Sequence, residues 1–153
     1  GVVTFLMEKE MIGAASVSTL FNKHSGVLGV SGLSSDMRDI ENAVANGDER
    51  ATLALDMYEY RIKKYIGSYV AALNGVDVIV FTGGVGENQT GTRIKVCKGL
   101  EFMGVKVDPE LNKIRGKEMI ISTPDSSVKV VVIPTDEEFM IASDTLEIVN
   151  QSN

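Results

Sequence analysis

The segment VFTGGVGEN, Val80 to Asn88, ends an apolar run in three glycines, an acid and an amide. Gly83, Gly84 and Gly86 lack Cβ atoms, so the backbone there can approach a ligand closely and offer its N–H groups. The start of a following helix favours anions, phosphate above all. The competing reading is a plain strand-to-helix turn that needs positive φ, and spacing alone leaves the two open. It is not a dinucleotide fingerprint, because the third glycine would fall at Gln89. Nor is it a P-loop, since no Gly-Lys-Ser/Thr follows.

A second candidate is IPTDEEF, Ile133 to Phe139, again at the junction of an apolar strand and a helix. Thr135 and Glu138 have the spacing of a capping box. That leaves Glu137 unassigned, either as a first-turn complement to the helix dipole or as an oxygen donor to Mg²⁺. The third candidate is GLSSDMRDIE, Gly32 to Glu41. Ser35 or Asp36 can cap a helix there. Arg38 can reach a nucleotide, or pair with Asp39 or Glu41 on the surface. His24, the single histidine, has no ligand cluster beside it and reads as a surface residue. No nucleophile–base constellation can be assembled.

The elements that must hold these groups follow from periodicity. Residues 3–12 and 15–23 read as short helices, and Val27–Val30 as a short strand between turns. A helix is expected from Asp36 to Asn46, ending at Gly47. Asp48 then caps a long helix to Asn74-Gly75, with Leu55, Tyr58, Ile62, Tyr65, Ile66, Tyr69 and Leu73 on one apolar face. All four tyrosines lie in it, a pattern of core or subunit packing rather than of a cofactor platform. Asp77–Thr82 reads as a strand buried on both faces, and Thr90–Phe102 as a helix. Short strands are expected at Lys106–Val107 and Met119–Ile121, a second apolar strand in Lys129–Thr135, and a last helix at about Asp136–Val149. The alternation gives an α/β class.

Totals narrow the function. The 153 residues, 44% hydrophobic and 24% charged, suit one globular domain. No apolar run approaches the roughly 20 residues of a membrane span, and no signal peptide is recognised. The lone Cys97 fits a reducing cytoplasm. A net charge of −6 without a basic block disfavours nucleic acid. The chain opens at Gly1, inside an apolar pattern, and reads as a piece of something longer.

NKHSGVLGVSGLSSDMRDIE (Asn22–Glu41), VFTGGVGEN and VVIPTDEEFMIA (Val131–Ala142), in this order, resemble the acetokinase family. That family lies in the superfamily of sugar kinases, heat-shock cognate ATPases and actin. The resemblance covers nearly the whole chain. It implies an actin-like ATPase (ribonuclease H-like) domain and ATP-dependent phosphorylation of acetate to acetyl phosphate and ADP, with its reverse. It also implies that Asp36, Met37 and Arg38 contact the nucleotide, that Gly84, Val85, Gly86, Glu87 and Asn88 line its pocket, and that Glu137 binds Mg²⁺. The family supplies an Asn, two arginines, a catalytic Asp, a His and a His-Leu-Gly-Asn-Gly phosphate loop upstream of this region, and none has a counterpart here. Residues 1–153 thus resemble a C-terminal nucleotide-binding domain without its N-terminal domain, with no catalytic residue of its own. A cytoplasmic homodimer is implied, with no membrane or nucleic-acid partner. A propionate or butyrate kinase, or a non-catalytic nucleotide-binding or dimerising module, are the alternatives.

Overall fold

The computed structural model describes residues 1–151. They gather into two compact units, one up to Tyr65 and one from Ile66 onward.

The first unit is helical. Helices α1 (Val2–Lys9), α2 (Ala14–Lys23), α3 (Gly26–Ser31) and α4 (Met37–Ala45) precede the long α5 (Glu49–Leu73), which starts in this unit and ends in the next. The core here is Ile40, Ala51 and Leu55, with Val27, Met37, Ala43 and Val44 packed against it. Asp48 caps α5 as expected, its carboxylate accepting from the Ala51 N–H at 2.8 Å. Asn74 (φ +59°) and Gly75 (φ +138°) stop α5 where the sequence says they should.

The expected strand at Val27–Val30 is instead the helix α3. A short apolar run does not distinguish strand from helix by periodicity. Here Gly32 closes a helical turn in the left-handed region, its N–H on the Leu28 carbonyl. The long apolar face of α5 is buried only at its start. Leu55 is 6% exposed, whereas Tyr65, Tyr69 and Leu73 are more than half exposed. Tyr60 is exposed too, so core packing does not account for these three tyrosines.

The second unit is built on a three-stranded sheet in the order β1 (Val78–Phe81), β3 (Lys129–Val132), β2 (Met119–Ile120). β1 runs parallel to β3 with Val78 opposite Lys129, and β2 runs antiparallel to β3 with Met119 opposite Val132. Ile79, Phe81, Val130 and Val132 are buried with Val96, Leu100, Val105, Ile121 and Val128. Val78 and Val80 are 46% and 47% exposed, which corrects the expectation of a strand covered on both faces. An unbroken apolar strand says that both faces are suited to cover, not which residues provide it.

The glycine segment is not a loop. Gly83–Asn88 forms the short helix α6, and Thr90–Cys97 forms α7, with Gln89 between them. α7 stops five residues short of the expected Phe102. Gly99 takes φ +86° and a separate 3-10 turn follows at Glu101–Met103. Lys106–Val107 is not a strand either, since Val107 makes only an isolated bridge to Ser122. The last helix, α8 (Glu137–Gln151), is where the pattern placed it, and none of its residues is buried.

Candidate functional site

The three glycines among residues 83–86 are not equivalent. Gly83 sits at the β1–α6 junction with φ +69°, a backbone that disfavours any other residue. Gly86 is buried, and a Cβ there would lie 3.0 Å from the Phe81 carbonyl carbon, so it lets α6 lie close against the end of β1. Gly84 has neither reason. Its φ is not positive, it is exposed, and a Cβ built on it would meet nothing within 4 Å. The space in front of Gly84 is open, with the Asn88 amide bonded back to the Gly84 carbonyl at 3.0 Å.

The segment is anchored from below by Arg93, whose place in an expected helix was its one signal in the sequence. Arg93 is 0% exposed, and its five N–H donors meet five acceptors. Nη1 donates to the Gly86 and Glu87 carbonyls at 2.8 and 2.9 Å. Nη2 donates to the Asn112 and Ile114 carbonyls at 2.7 Å each, and Nε to Asn112 Oδ1 at 2.8 Å. No carboxylate faces it in these bonds, and burial, with the charge of Arg115 second, pushes its pKa below the ordinary arginine value. The guanidinium therefore fixes the end of α6 through main-chain dipoles.

Glu87 leaves that anchored end toward the neighbouring strand. Its Oε1 accepts from both the backbone N–H and the hydroxyl of Thr135, at 2.9 and 3.1 Å. The capping box expected of Thr135 and Glu138 is therefore not formed, because Thr135 is turned to Glu87. Asp136 caps α8 in its place, its Oδ1 accepting from the Phe139 N–H at 3.0 Å. Glu137 is exposed and its carboxylate has no hydrogen-bond partner among the described residues. It remains unassigned by the helix start, though for a different reason than its spacing suggested. Thr135, Asp136, Glu137, Met140 and Ile141 line an open hollow.

No group of three His, Cys, Asp or Glu side chains among the described residues can hold a metal ion by itself. One free carboxylate is nevertheless the donor set that suits Mg²⁺. That ion keeps several waters and takes one or two carboxylates plus phosphate oxygens, not an all-protein cage. Glu137 fits that role.

The remaining candidates lie in the first unit. Asp36 caps α4, accepting from the Arg38 N–H at 2.8 Å, and pairs with the Arg38 guanidinium at 2.6 Å. That hydrogen bond from the Arg38 side chain, with the one from its backbone second, holds the Asp36 carboxyl down at about 2. Asp36, not Asp39 or Glu41, is thus the surface partner of Arg38, whose side chain stays 84% exposed. Met37 packs on the Ile40–Ala51–Leu55 cluster. His24 is exposed, as its surroundings in sequence suggested.

Comparison with known proteins adds a lineage to this geometry. The family model described as "Acetokinase family" matches residues 1–143. An acetate kinase of Phocaeicola vulgatus is 68% identical over 151 residues, covering 99% of this chain and 38% of its own length. The crystal structure of Porphyromonas gingivalis acetate kinase superposes with a TM-score of 0.90 at 65% identity, over 97% of this chain and 38% of that one. A propionate kinase from Francisella tularensis gives a TM-score of 0.82 at 33% identity, over 92% of this chain and 36% of its own. The chain spans under two-fifths of the length of the curated relatives it matches. No helix among the described residues is long and apolar enough to cross a membrane.

Proposed function

The chain belongs to the acetokinase family and carries part of its actin-like ATPase fold, and from that premise we propose that it is the nucleotide- and Mg²⁺-binding C-terminal portion of an acetate kinase. The whole enzyme would transfer the γ-phosphoryl group of ATP to acetate, giving acetyl phosphate and ADP, and would run the reaction in reverse. The observation that carries this reading is Gly84, a glycine that neither backbone conformation nor local packing requires, beside open space.

In this reading Gly84 and Val85 leave room for the nucleotide at the end of β1. Gly86, Glu87 and Asn88 fix the shape of that segment, through Phe81, Thr135 and the Gly84 carbonyl respectively. In the first unit Arg38 is exposed and paired with Asp36, and its part in nucleotide binding rests on the family resemblance. Glu137 would hold Mg²⁺, which when bound neutralises charge on the phosphate oxygens during transfer. Phosphoryl transfer is chiefly positioning and electrostatic stabilisation, so a domain that orients the nucleotide is half of the machinery. The acetate-binding and transferring groups belong to the remainder of the enzyme, and no residue of this chain is assigned a catalytic role. A cytoplasmic homodimer, with the exposed tyrosines of α5 at its interface, completes the proposal. Aromatic residues are enriched in such surfaces.

The test is trapping of acyl phosphate with hydroxylamine. The full-length enzyme should form acetyl phosphate from ATP and acetate, while residues 1–153 alone should form none. A full-length enzyme that prefers propionate or butyrate to acetate would overturn the substrate assignment. One that binds nucleotide but forms no acyl phosphate would make it a binding module. The propionate kinase among the structural relatives keeps the first alternative specific.

A further inference from the structure

The resemblance to the family groups Glu87 with the residues that line the nucleotide pocket. Its carboxylate is not turned to open space. Oε1 is shared by two donors of one residue, Thr135, which lies 48 positions further on. The main chain of Glu87 is held as well, its carbonyl accepting from Arg93 Nη1 at 2.9 Å and from the Gly116 N–H at 3.3 Å. Thr135 is two residues before Glu137 and directly precedes Asp136, the cap of α8. β1 and β3 are parallel neighbours, and the last ladder-like bond beyond them runs from the Ile133 N–H to the Phe81 carbonyl at 2.9 Å. Past that bond the two strands lead out of the sheet into separate helices, α6 and α8. The Glu87–Thr135 contact joins them again.

We infer that Glu87 is a positioning residue for Glu137: its carboxylate ties the glycine segment to the β3–α8 junction, so that the phosphate-facing backbone and the Mg²⁺ carboxylate keep one fixed geometry. This rests on the nucleotide and Mg²⁺ reading above. Outer partners that orient a metal ligand typically change metal affinity when removed, without touching the metal. The role needs an acceptor at Oε1 and does not need a negative charge. A glutamine keeps an oxygen that accepts both bonds, and an alanine does not.

That difference sets the experiment. Calorimetry of ADP binding to the full-length enzyme, in Mg²⁺ and in EDTA, isolates the Mg²⁺-dependent part of affinity. Glu87→Ala should lower that part about 10-fold, whereas Glu87→Gln should stay close to wild type. Thr135→Val should lower it less than Glu87→Ala, since the backbone donor persists, and Thr135→Ser should restore it. In the absence of ligand, the Tm losses of Glu87→Ala and Thr135→Val should not add in the double variant. Glu87→Gln as damaging as Glu87→Ala would overturn the inference in favour of a charged contact. So would additive Tm losses, or a loss of Tm in Glu87→Ala and Thr135→Val with Mg²⁺-dependent affinity intact. If Glu87→Ala does not fold, Glu87→Gln and Thr135→Val carry the same contrast. Wild-type enzyme whose ADP affinity ignores Mg²⁺ would overturn the functional reading and this inference with it. Wild-type Mg²⁺ dependence that none of the variants alters would overturn the inference alone.

Discussion

The carboxylate of Glu87 accepts both the N–H and the hydroxyl of Thr135, at 2.9 and 3.1 Å. This one contact decides how the start of α8 is built. With Thr135 occupied, the helix is capped by Asp136, and both Glu137 and Glu138 are left without hydrogen-bond partners among the described residues.

The acids of that turn therefore separate by function. Asp136→Ala should lower stability by about 1 kcal/mol, as for a lost N-cap. Glu138→Ala should change stability little, since it satisfies no backbone donor. Glu137→Ala in the full-length enzyme should cut turnover sharply and weaken its dependence on Mg²⁺ at nearly unchanged Tm. Urea unfolding and initial rates across a Mg²⁺ series check all three. A Glu138→Ala enzyme that loses turnover while Glu137→Ala keeps it would reverse the assignment.

Gly84 and Gly86 should respond oppositely to a methyl group. Gly84→Ala meets no neighbour, so its Tm should stay near wild type while ADP affinity falls. Gly86→Ala places a Cβ 3.0 Å from the Phe81 carbonyl carbon, which requires α6 to shift. It should lose stability, about 1–3 kcal/mol as for other overpacked sites. Thermal unfolding with and without ADP distinguishes the two.

Arg93→Met should be among the most destabilising single changes in the second unit. It removes the donors of five hydrogen bonds and takes these partners from the Gly86, Asn112 and Ile114 carbonyls and from Asn112 Oδ1, while the Glu87 carbonyl keeps only the Gly116 N–H. Each buried group left unpaired costs about 1–3 kcal/mol, so the sum threatens a domain of ordinary stability. Equilibrium unfolding, or the soluble yield if the variant does not fold, measures it. A Tm close to wild type would show that the carbonyls find other donors.

The pH response of Asp36 and Asp125 should lie in the acid range. Asp36 is lowered to about 2 by its Arg38 hydrogen bonds, and Asp125 to about 2 chiefly by its hydrogen bond from Lys106. Folded values below the unfolded ones mean that the contribution to stability is complete above about pH 4. It is lost as pH falls through the folded value, and pH 6 to 8 should show no change from these groups. Carboxyl NMR titration checks the two values, and Arg38→Ala should move Asp36 back up.

What the sequence determined by itself was whatever depends on neighbours along the chain. Asp48 caps α5 and Asn74-Gly75 ends it because caps and left-handed stops act within a turn of their own residues. The three motif segments carried family membership for the same reason: their residue types and order are local properties. Tertiary structure decided what needs a partner far along the chain. Thr135 reads as a cap until Glu87, distant in sequence, takes both its donors. Arg93 reads as one more basic helix residue until the fold brings the Gly86, Glu87, Asn112 and Ile114 carbonyls around it. Val27–Val30 and the glycine segment became helices because runs of four to six residues have no decisive period. Val78 and Val80 are as apolar as Ile79 and Phe81, and only packing tells an open face from a covered one.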